Sequence, residues 1–499
     1  MAVDASDLDK HEQHHVTTSE EDFATALALH RQDRLADAVA HYEKALQKNP
    51  ELVGALNNLG ACLHALGRST DAVAPLQKAV LLQPDFTQAH LGLAQALAAI
   101  GNDEEAGDAY QAALSLKRDM PEAWVGLATA LTRLGQLETA RDACMHALNL
   151  RPDFAEALSS LGNIQRELGQ FEAAVASHQR ALILRPDLPE IAWNYALCAL
   201  VVGDFAEGWR HFKRRLDCPG ALPRAYPVPR WDGRQSLRGK TILLYPELGF
   251  GDTINFVRFA PQLKQRGAAA VLVECQPSLR PLLQRMVGID QVVATGEALP
   301  SFDTHLALID LLPALNVGCE ALPESGPYLT PPNEGSEVLR RLFAALPATV
   351  RKVGLVWAGE SSRSFDRDRS VAAAELLTLA DIPGHWFYAL QKDKRPGDDA
   401  VLAARTNVTD LAPLLTNFDD TAWAVSQLDL VISVDTAVAH LAGALGKPTW
   451  LLLRYASDWR YPINMNKSLW YSSMRIFRQK FRSEWRSTVA EVANALKGT

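Results

Sequence analysis

Apolar positions in the first third of the chain recur with a fixed step. Leu59, Leu93, Leu127 and Leu161 stand 34 residues apart, as do Ala45, Ala79, Ala113, Ala147 and Ala181. Gly67, Gly101, Gly135, Gly169 and Gly203 keep the same step, and Pro50, Pro84, Pro152 and Pro186 keep it with Arg118 in the remaining slot. Four registers in phase predict an internal repeat of two short helices. The Leu belongs to the first helix. The Gly takes the turn, where a positive φ or a close approach is tolerated. The Ala lies where helices meet, because a larger side chain would push the backbones apart. The Pro stops the second helix. One such unit cannot bury its own apolar face, so units must stack.

The pattern changes at Cys218. CPGALPRAYPVPRWDG is rich in Pro and Gly and reads as a linker. Short β-rich runs then alternate with helical spacing. TILLY (241–245), AAVLVEC (269–275) and THLALI (304–309) read as strands, with helices over 253–266 and PSLRPLLQRMV. After a second loop zone, GPYLTPPNEG (326–335), come KVGLVW (352–357), WFYALQ (386–391), DLVISV (429–434) and TWLLL (449–453), with helices near 371–380, 419–427 and 436–445. Such alternation predicts two parallel sheets covered by helices. Ligands in such sheets bind at the carboxyl ends of the strands, which directs attention to the loops after TILLY, KVGLVW, WFYALQ and DLVISV.

The first of those loops is Glu247-Leu248-Gly249-Phe250-Gly251-Asp252-Thr253. Two glycines allow a tight turn and a close approach to a ligand, and Asp252 stands at a helix start. It could cap that helix, or take a proton from an attacking hydroxyl. A dinucleotide fingerprint would need a third glycine, and position 254 is Ile, although Glu274 ends the next strand as a ribose-binding acid would. In the loop after DLVISV, Asp435, Thr436 and Ala437 open a helix whose first N–H groups and dipole suit a phosphate. Asp435 and Thr436 are also ordinary caps. His440 lies one turn after Thr436, as a ligand contact or a buried core histidine. The loop after KVGLVW, at Trp357, carries Arg363, Asp366, Arg367, Asp368, Arg369 and Ser370, and Arg forks onto phosphate oxygens. Asp366-Arg367-Asp368 is similar to a carboxylate–metal motif, but it lies before a helix, so no metal is expected. Gln391 and Lys392 close their strand and could read a base or a phosphate, or simply be polar strand ends.

Composition narrows the class. The 499 residues are 48% hydrophobic and 22% charged, which fits a globular chain of about three domains rather than a disordered or fibrous one. Fifty Lys and Arg against 58 Asp and Glu leave a net charge of −8, which advertises neither a nucleic-acid nor an anionic-membrane surface. The scattered Cys62, Cys144, Cys198, Cys218, Cys275 and Cys319 form no CxxC pair and fit reduced, buried thiols. No apolar run is long enough for stable membrane insertion, and the polar N-terminus, with His11, His14 and His15, reads as a mobile solvated tail. A cytoplasmic, bacterial protein is expected.

The repeats resemble tetratricopeptide (TPR) repeats. ELGFGDTINFVRF, GLVWAG with DRDRS downstream, FYALQK, and LDLVISVDTAVAHLAGALGKPTWLLL followed by DWRYP resemble bacterial TPR-containing proteins with a glycosyltransferase family 9, heptosyltransferase-like, module. In plan the chain is more distantly similar to TPR-containing O-GlcNAc transferases. The resemblance implies an α-solenoid followed by an α/β GT-B fold: two Rossmann-like parallel-sheet lobes with a cleft between them. It also implies a nucleotide-diphosphate-sugar donor as co-substrate, inversion at the anomeric carbon, and no metal or other cofactor. Asp252 maps to the base, Asp435, Thr436, Ala437 and His440 to donor contacts, and Arg369 and Ser370 to an Arg-Ser pair. Glu247, Gly249, Gly251, Thr253 and Trp357 line the cleft loops, and Gln391 and Lys392 complete the donor side. Leu248 departs from the polar residue expected after Glu247, the loop before Arg369 lacks the usual His and Asn, and Asn466-Lys467-Ser468 stands where acidic-Ser-Pro is typical.

The expected organisation is a mobile N-terminus over 1–16 and a TPR solenoid over 17–216, five repeats plus a degenerate sixth helix pair. A linker over 217–239 leads to an acceptor-side lobe over 240–330. A connection over 331–350 leads to a nucleotide-sugar-side lobe with a C-terminal helix over 351–499. The expected function is metal-independent transfer of a sugar to a protein or glycan acceptor, with the TPR groove holding a protein or peptide. An inactive TPR scaffold whose transferase-like module only binds a partner or nucleotide is the alternative, and a dinucleotide oxidoreductase is a third. Homo-oligomers are compatible with a TPR arm. The basic, aromatic tail with Trp470, Tyr471, Arg475, Arg478, Lys480 and Arg482 reads as a solvated final helix rather than an acceptor or membrane contact.

Overall fold

The computed structural model describes residues 18–221, 224–316, 326–347, 349–359, 366–463 and 465–498, with side chains at all of these but Asp366 and Arg367. The expected mobile tail with its histidines, Cys319 and Arg363 lie outside the described residues. The described chain falls into two compact units. One runs to Glu167 and takes in Ala176–Pro186; the other holds Leu168–Val175 and Asp187–Thr499.

The first unit is a helical solenoid. Its helix pairs are Ser19–Arg31 with Leu35–Lys48, Val53–Ala65 with Ser69–Leu82, Thr87–Ala99 with Asp103–Leu116, and Pro121–Arg133 with Leu137–Leu150; Ala155–Glu167 then leads to Phe171–Leu184. The repeat registers have direct physical counterparts. The turn glycines Gly67, Gly101, Gly135, Gly169 and Gly203 all have φ between +72° and +90°, a conformation in which a Cβ is strained. The five register alanines are wholly buried, so each sits where two helices are in contact. No described helix is long and apolar enough to cross a membrane.

His178, on Phe171–Leu184, is fully buried against Gly162, where a Cβ would come within 2.6 Å of Nε2. Among the described residues, neither of its ring nitrogens has a partner. Burial, aided by the charge of Arg166, pushes its pKa down to about 3. An unfolded chain binds the proton below about pH 6.5 and the folded one does not, so stability falls as pH drops from about 6.5 towards 3. Between pH 7 and 5 the loss from this one residue is about 2 kcal/mol. His178→Leu should flatten that part of the pH profile in chemical denaturation; parallel profiles for parent and variant would count against the buried neutral imidazole.

In the second unit, the sixth helix pair, Pro189–Val202 and Phe205–Phe212, precedes two parallel sheets. Leu200, Val201 and Phe212 of that pair share a core with Trp231, Ile242 and Leu244. The first sheet is built from β1 (Thr241–Tyr245), β2 (Ala270–Cys275), β3 (Gln291–Ala294) and β4 (Thr304–Ala307), in the order β3-β2-β1-β4. The second contains β5 (Arg351–Val356), β6 (His385–Ala389), β7 (Val408–Asp410), β8 (Leu430–Val434), β9 (Thr449–Leu453) and β10 (Met474–Arg478), in the order β10-β9-β8-β5-β6-β7. Every pairing is parallel. This is the GT-B plan of two parallel-sheet lobes. In the first sheet strand order reverses beside β1, and in the second beside β5 and β8. Loops at such reversals open a crevice at the carboxyl end of a sheet.

Two expectations change. The helix expected over 253–266 starts at Phe250, ends at Phe256, and resumes as Ala260–Gln265 after a 3₁₀ turn. Pro261 cannot donate the N–H that a continuous helix needs there. The tail is not a solvated helix. Trp470 and Tyr471 are buried, Met474–Arg478 is edge strand β10, and the final helix is Arg486–Lys497, which packs Val489, Val492 and Leu496 into the second lobe. The apolar residues Met474, Ile476 and Phe477 carry this segment into the sheet.

Candidate functional site

The first loop enters the site through its helix. Gly249 is the N-cap of Phe250–Phe256, with φ −75°, and neither it nor Gly251 has a positive φ. Gly251 is required by closeness instead. A Cβ there would come within 2.8 Å of His440 Cδ2 and 3.6 Å of the Ala437 Cα. The absence of a side chain thus lets the Phe250–Phe256 helix of the first lobe lie against the Ala437–Ala444 helix of the second. Asp252 falls inside the first turn rather than at the cap. Its carboxylate accepts from the Arg460 guanidinium, in the loop after β9.

On the second lobe, Thr436 is the N-cap of Ala437–Ala444 but makes no side-chain cap. Its hydroxyl pairs with Ser433 Oγ at 2.9 Å instead of accepting from the N–H groups of the first turn. Asp435 lies 3.6 Å from His440 Nε2 and receives the Tyr461 hydroxyl at 3.4 Å. Burial works against the Asp435 charge, yet the contact with His440 and the positive charges of Arg460 and Arg369 hold its pKa below the usual carboxylate range. His440 Nδ1 meets the Tyr471 hydroxyl at 3.0 Å, and that hydroxyl donates to Asn255 Oδ1 of the first lobe at 3.2 Å. Burial raises the pKa of Tyr461 and Tyr471 well above the ordinary phenol, so both stay neutral donors. Asp252, Asp435, Thr436, Ala437, His440 and Arg369 are therefore brought together.

Other candidates have different work. Gln391 is buried and accepts from the Trp357 and Ala358 N–H groups at 3.1 and 2.9 Å, while its amide donates to the Ala358 and Asp393 carbonyls. Lys392 donates to the Ala412 and Leu415 carbonyls at 3.0 and 2.7 Å. Trp357 is buried and donates to Asp398 at 2.9 Å. Gln391 and Trp357 spend their polar groups holding loops together, while Lys392 makes its two backbone contacts from an exposed position. Ser370 Oγ accepts from the Gly359 N–H at 3.3 Å. Thr253 donates to Gln276 at 3.0 Å. Glu247 takes both arms of Arg215, at 2.7 and 2.6 Å. Glu274, the would-be ribose acid, is buried and ion-paired with Arg224. Asp368 receives Arg482 at 3.0 Å and Ser483 at 3.2 Å. Among the described residues, no group of three or more His, Cys, Asp or Glu is placed to hold a metal.

Sequence reasoning missed Arg460, Asp458, Tyr461 and Tyr471 as site residues. The strand-end rule, extended to the loop after TWLLL, would have drawn attention to the DWRYP run.

The comparisons with known proteins agree with this layout. Tetratricopeptide repeat models match residues 23–85, 76–121, 121–154 and 157–192. The glycosyltransferase family 9 (heptosyltransferase) model matches residues 391–482, which include Asp435, Thr436, His440 and Arg460. Protein FlbA of Caulobacter vibrioides is 29% identical over 329 residues, covering 60% of this chain and 54% of FlbA, so the chain spans about half the length of that relative. Among solved structures, MamA is 24% identical, covering 34% of this chain and 92% of its own, with a TM-score of 0.32. A thermophilic TPR protein of Thermus thermophilus is 22% identical over 36% of this chain and 97% of its own, with a TM-score of 0.30.

Proposed function

We propose that this chain, which carries tetratricopeptide repeats ahead of a glycosyltransferase family 9 domain, transfers a sugar from a nucleotide-diphosphate donor to a protein or glycan hydroxyl with inversion. One observation carries the reading: an acid of the first lobe, Asp252, and an acid beside the helix start of the second, Asp435, share one cation, Arg460. In the reaction the acceptor oxygen attacks the anomeric carbon and its proton passes to Asp252. The bond from that carbon to the phosphate oxygen breaks, and the nucleoside diphosphate leaves. Negative charge then grows at the diphosphate. The N–H groups after Thr436 and the Arg369 cation stabilise it where it develops. The repeats supply the protein-binding arm that presents the acceptor or a partner. The reading includes a cytoplasmic site of action and no resident metal.

The test has two steps. A thermal-shift screen with ADP, UDP, GDP, CDP and NAD should single out one nucleoside diphosphate, since stabilisation follows RT ln(1 + [L]/Kd). Mass spectrometry of acceptor candidates with the matching sugar donor should then show a hexose- or heptose-sized addition that EDTA leaves unchanged. Stabilisation by NAD alone would favour a dinucleotide enzyme, and binding without transfer would favour the scaffold.

A further inference from the structure

We propose that Arg460 is the positioning residue for Asp252: a fixed cation of the second lobe that sets where the carboxylate of the first lobe stands. The inference deepens the glycosyltransfer reading and rests on it.

Arg460 is built as a post. Asp458 Oδ1 accepts both its backbone N–H at 3.0 Å and its guanidinium at 2.6 Å, tying the side chain to its own backbone. The Trp470 indole donates to its carbonyl at 2.7 Å. The guanidinium lies over the Trp459 ring at 4.5 Å and the Phe256 ring at 5.7 Å. The residue is only 8% exposed. Burial alone would disfavour its charge, but Asp252, Asp458 and Asp435 together raise its pKa above the ordinary value. The arm that reaches the first lobe ends on Asp252 Oδ1.

Asp252 has no comparable anchor. It sits in a seven-residue helix, and among the described residues Arg460 is the partner of its carboxylate. Holding Oδ1 fixes the carboxylate plane and leaves Oδ2 for the acceptor proton. The two nitrogens of one planar guanidinium engage Asp458 and Asp252 together, a geometry that an ammonium point charge cannot copy. Because the anchor and the base belong to different lobes, the base is aligned only when the lobes meet as they do here. A misplacement of about 1 Å at a reacting group costs on the order of a hundredfold in rate.

The experiment uses the full chain with the donor chosen by the nucleotide screen. Arg460→Met should lower kcat roughly a hundredfold while the donor KM stays within about threefold. Arg460→Lys keeps the charge without the fork and should recover about tenfold of that loss. Asp458→Ala keeps the cation but removes the oxygen that anchors it and should fall between Arg460→Met and the parent. In an Asp252→Asn background, Arg460→Met should cause no further loss of kcat. Melting curves check that each variant is folded, and a stability double-mutant cycle on Asp252 and Arg460 should show coupling. An Arg460→Met enzyme with parental kcat overturns the inference, as does one whose donor KM rises while kcat holds, because Arg460 would then be a donor ligand. Additive losses with Asp252→Asn overturn it too. A parent chain that transfers from no donor overturns the glycosyltransfer reading, and this inference with it.

Discussion

Asp252→Asn should abolish sugar transfer, by roughly a thousandfold or more, while leaving the chain folded and the nucleotide bound. The size follows from the step removed. A positioned general base contributes typically about 10²–10⁴-fold, and an amide cannot accept the proton. The selectivity follows from the surroundings. An Asn oxygen at position 252 can still accept from Arg460, and Arg460 keeps Asp458 and Asp435 as counter-charges. No buried cation is orphaned, so the large penalty of a broken buried pair does not arise. The uncapped helix start at Thr436 and the Arg369 charge are untouched, so calorimetry with the nucleoside diphosphate should give the parental affinity. Transfer at the parental rate would remove Asp252 as the base. Loss of nucleotide affinity alongside transfer would instead make Asp252 part of the donor site.

The residues meeting around Arg460 show what the sequence reveals and what it hides. Asp252, Asp435, Thr436 and His440 could be nominated because each follows a strand that stands out as an apolar run, and parallel sheets gather their carboxyl-end loops. Arg460 follows such a strand too, but six residues intervene after Leu453 and none of them forms a regular element. Its role depends on Asp458, Trp459 and Trp470 folding around it, which no local pattern announces. The same logic failed in the other direction at Gln391. It follows a strand, but the backbone folds back over it and takes its polar atoms. The solenoid was legible because its turns demand glycine and its crossings demand alanine at every repeat. The edge strands β3, β7 and β10 were not, since polar residues in QVVA, VTD and MRIFR leave no apolar run as long as those of TILLY or TWLLL.

Arg215→Met should cost about 3–5 kcal/mol of stability in the second unit, the largest effect expected from any single substitution outside the reacting groups. Arg215 lies on the 3₁₀ turn Lys213–Asp217 that ends the sixth helix pair. Its side chain is 7% exposed and grips two carboxylates at once: Glu247 at 2.7 and 2.6 Å, Asp310 at 2.9 and 2.8 Å. Asp310 is buried as well and shares Arg230. These acids raise the Arg215 pKa against the opposing pull of burial, so the cation is permanent. Removing it leaves Glu247 without its partner and Asp310 buried with one cation instead of two. Uncompensated charge, rather than lost attraction, sets the size of the penalty. Chemical denaturation should show it, and Asp310→Asn added to Arg215→Met should recover part of the loss. A change below about 1 kcal/mol would mean that water screens the cluster as it does a surface pair. The same contacts explain why the sixth pair departs from the repeat. Trp209 and Phe212 pack edge-on against Trp459, the neighbour of Arg460, while Arg215 holds Glu247, five residues ahead of Asp252. The last helices of the repeat pattern thus support both halves of the candidate site, and their sequence answers to that packing instead of to another repeat.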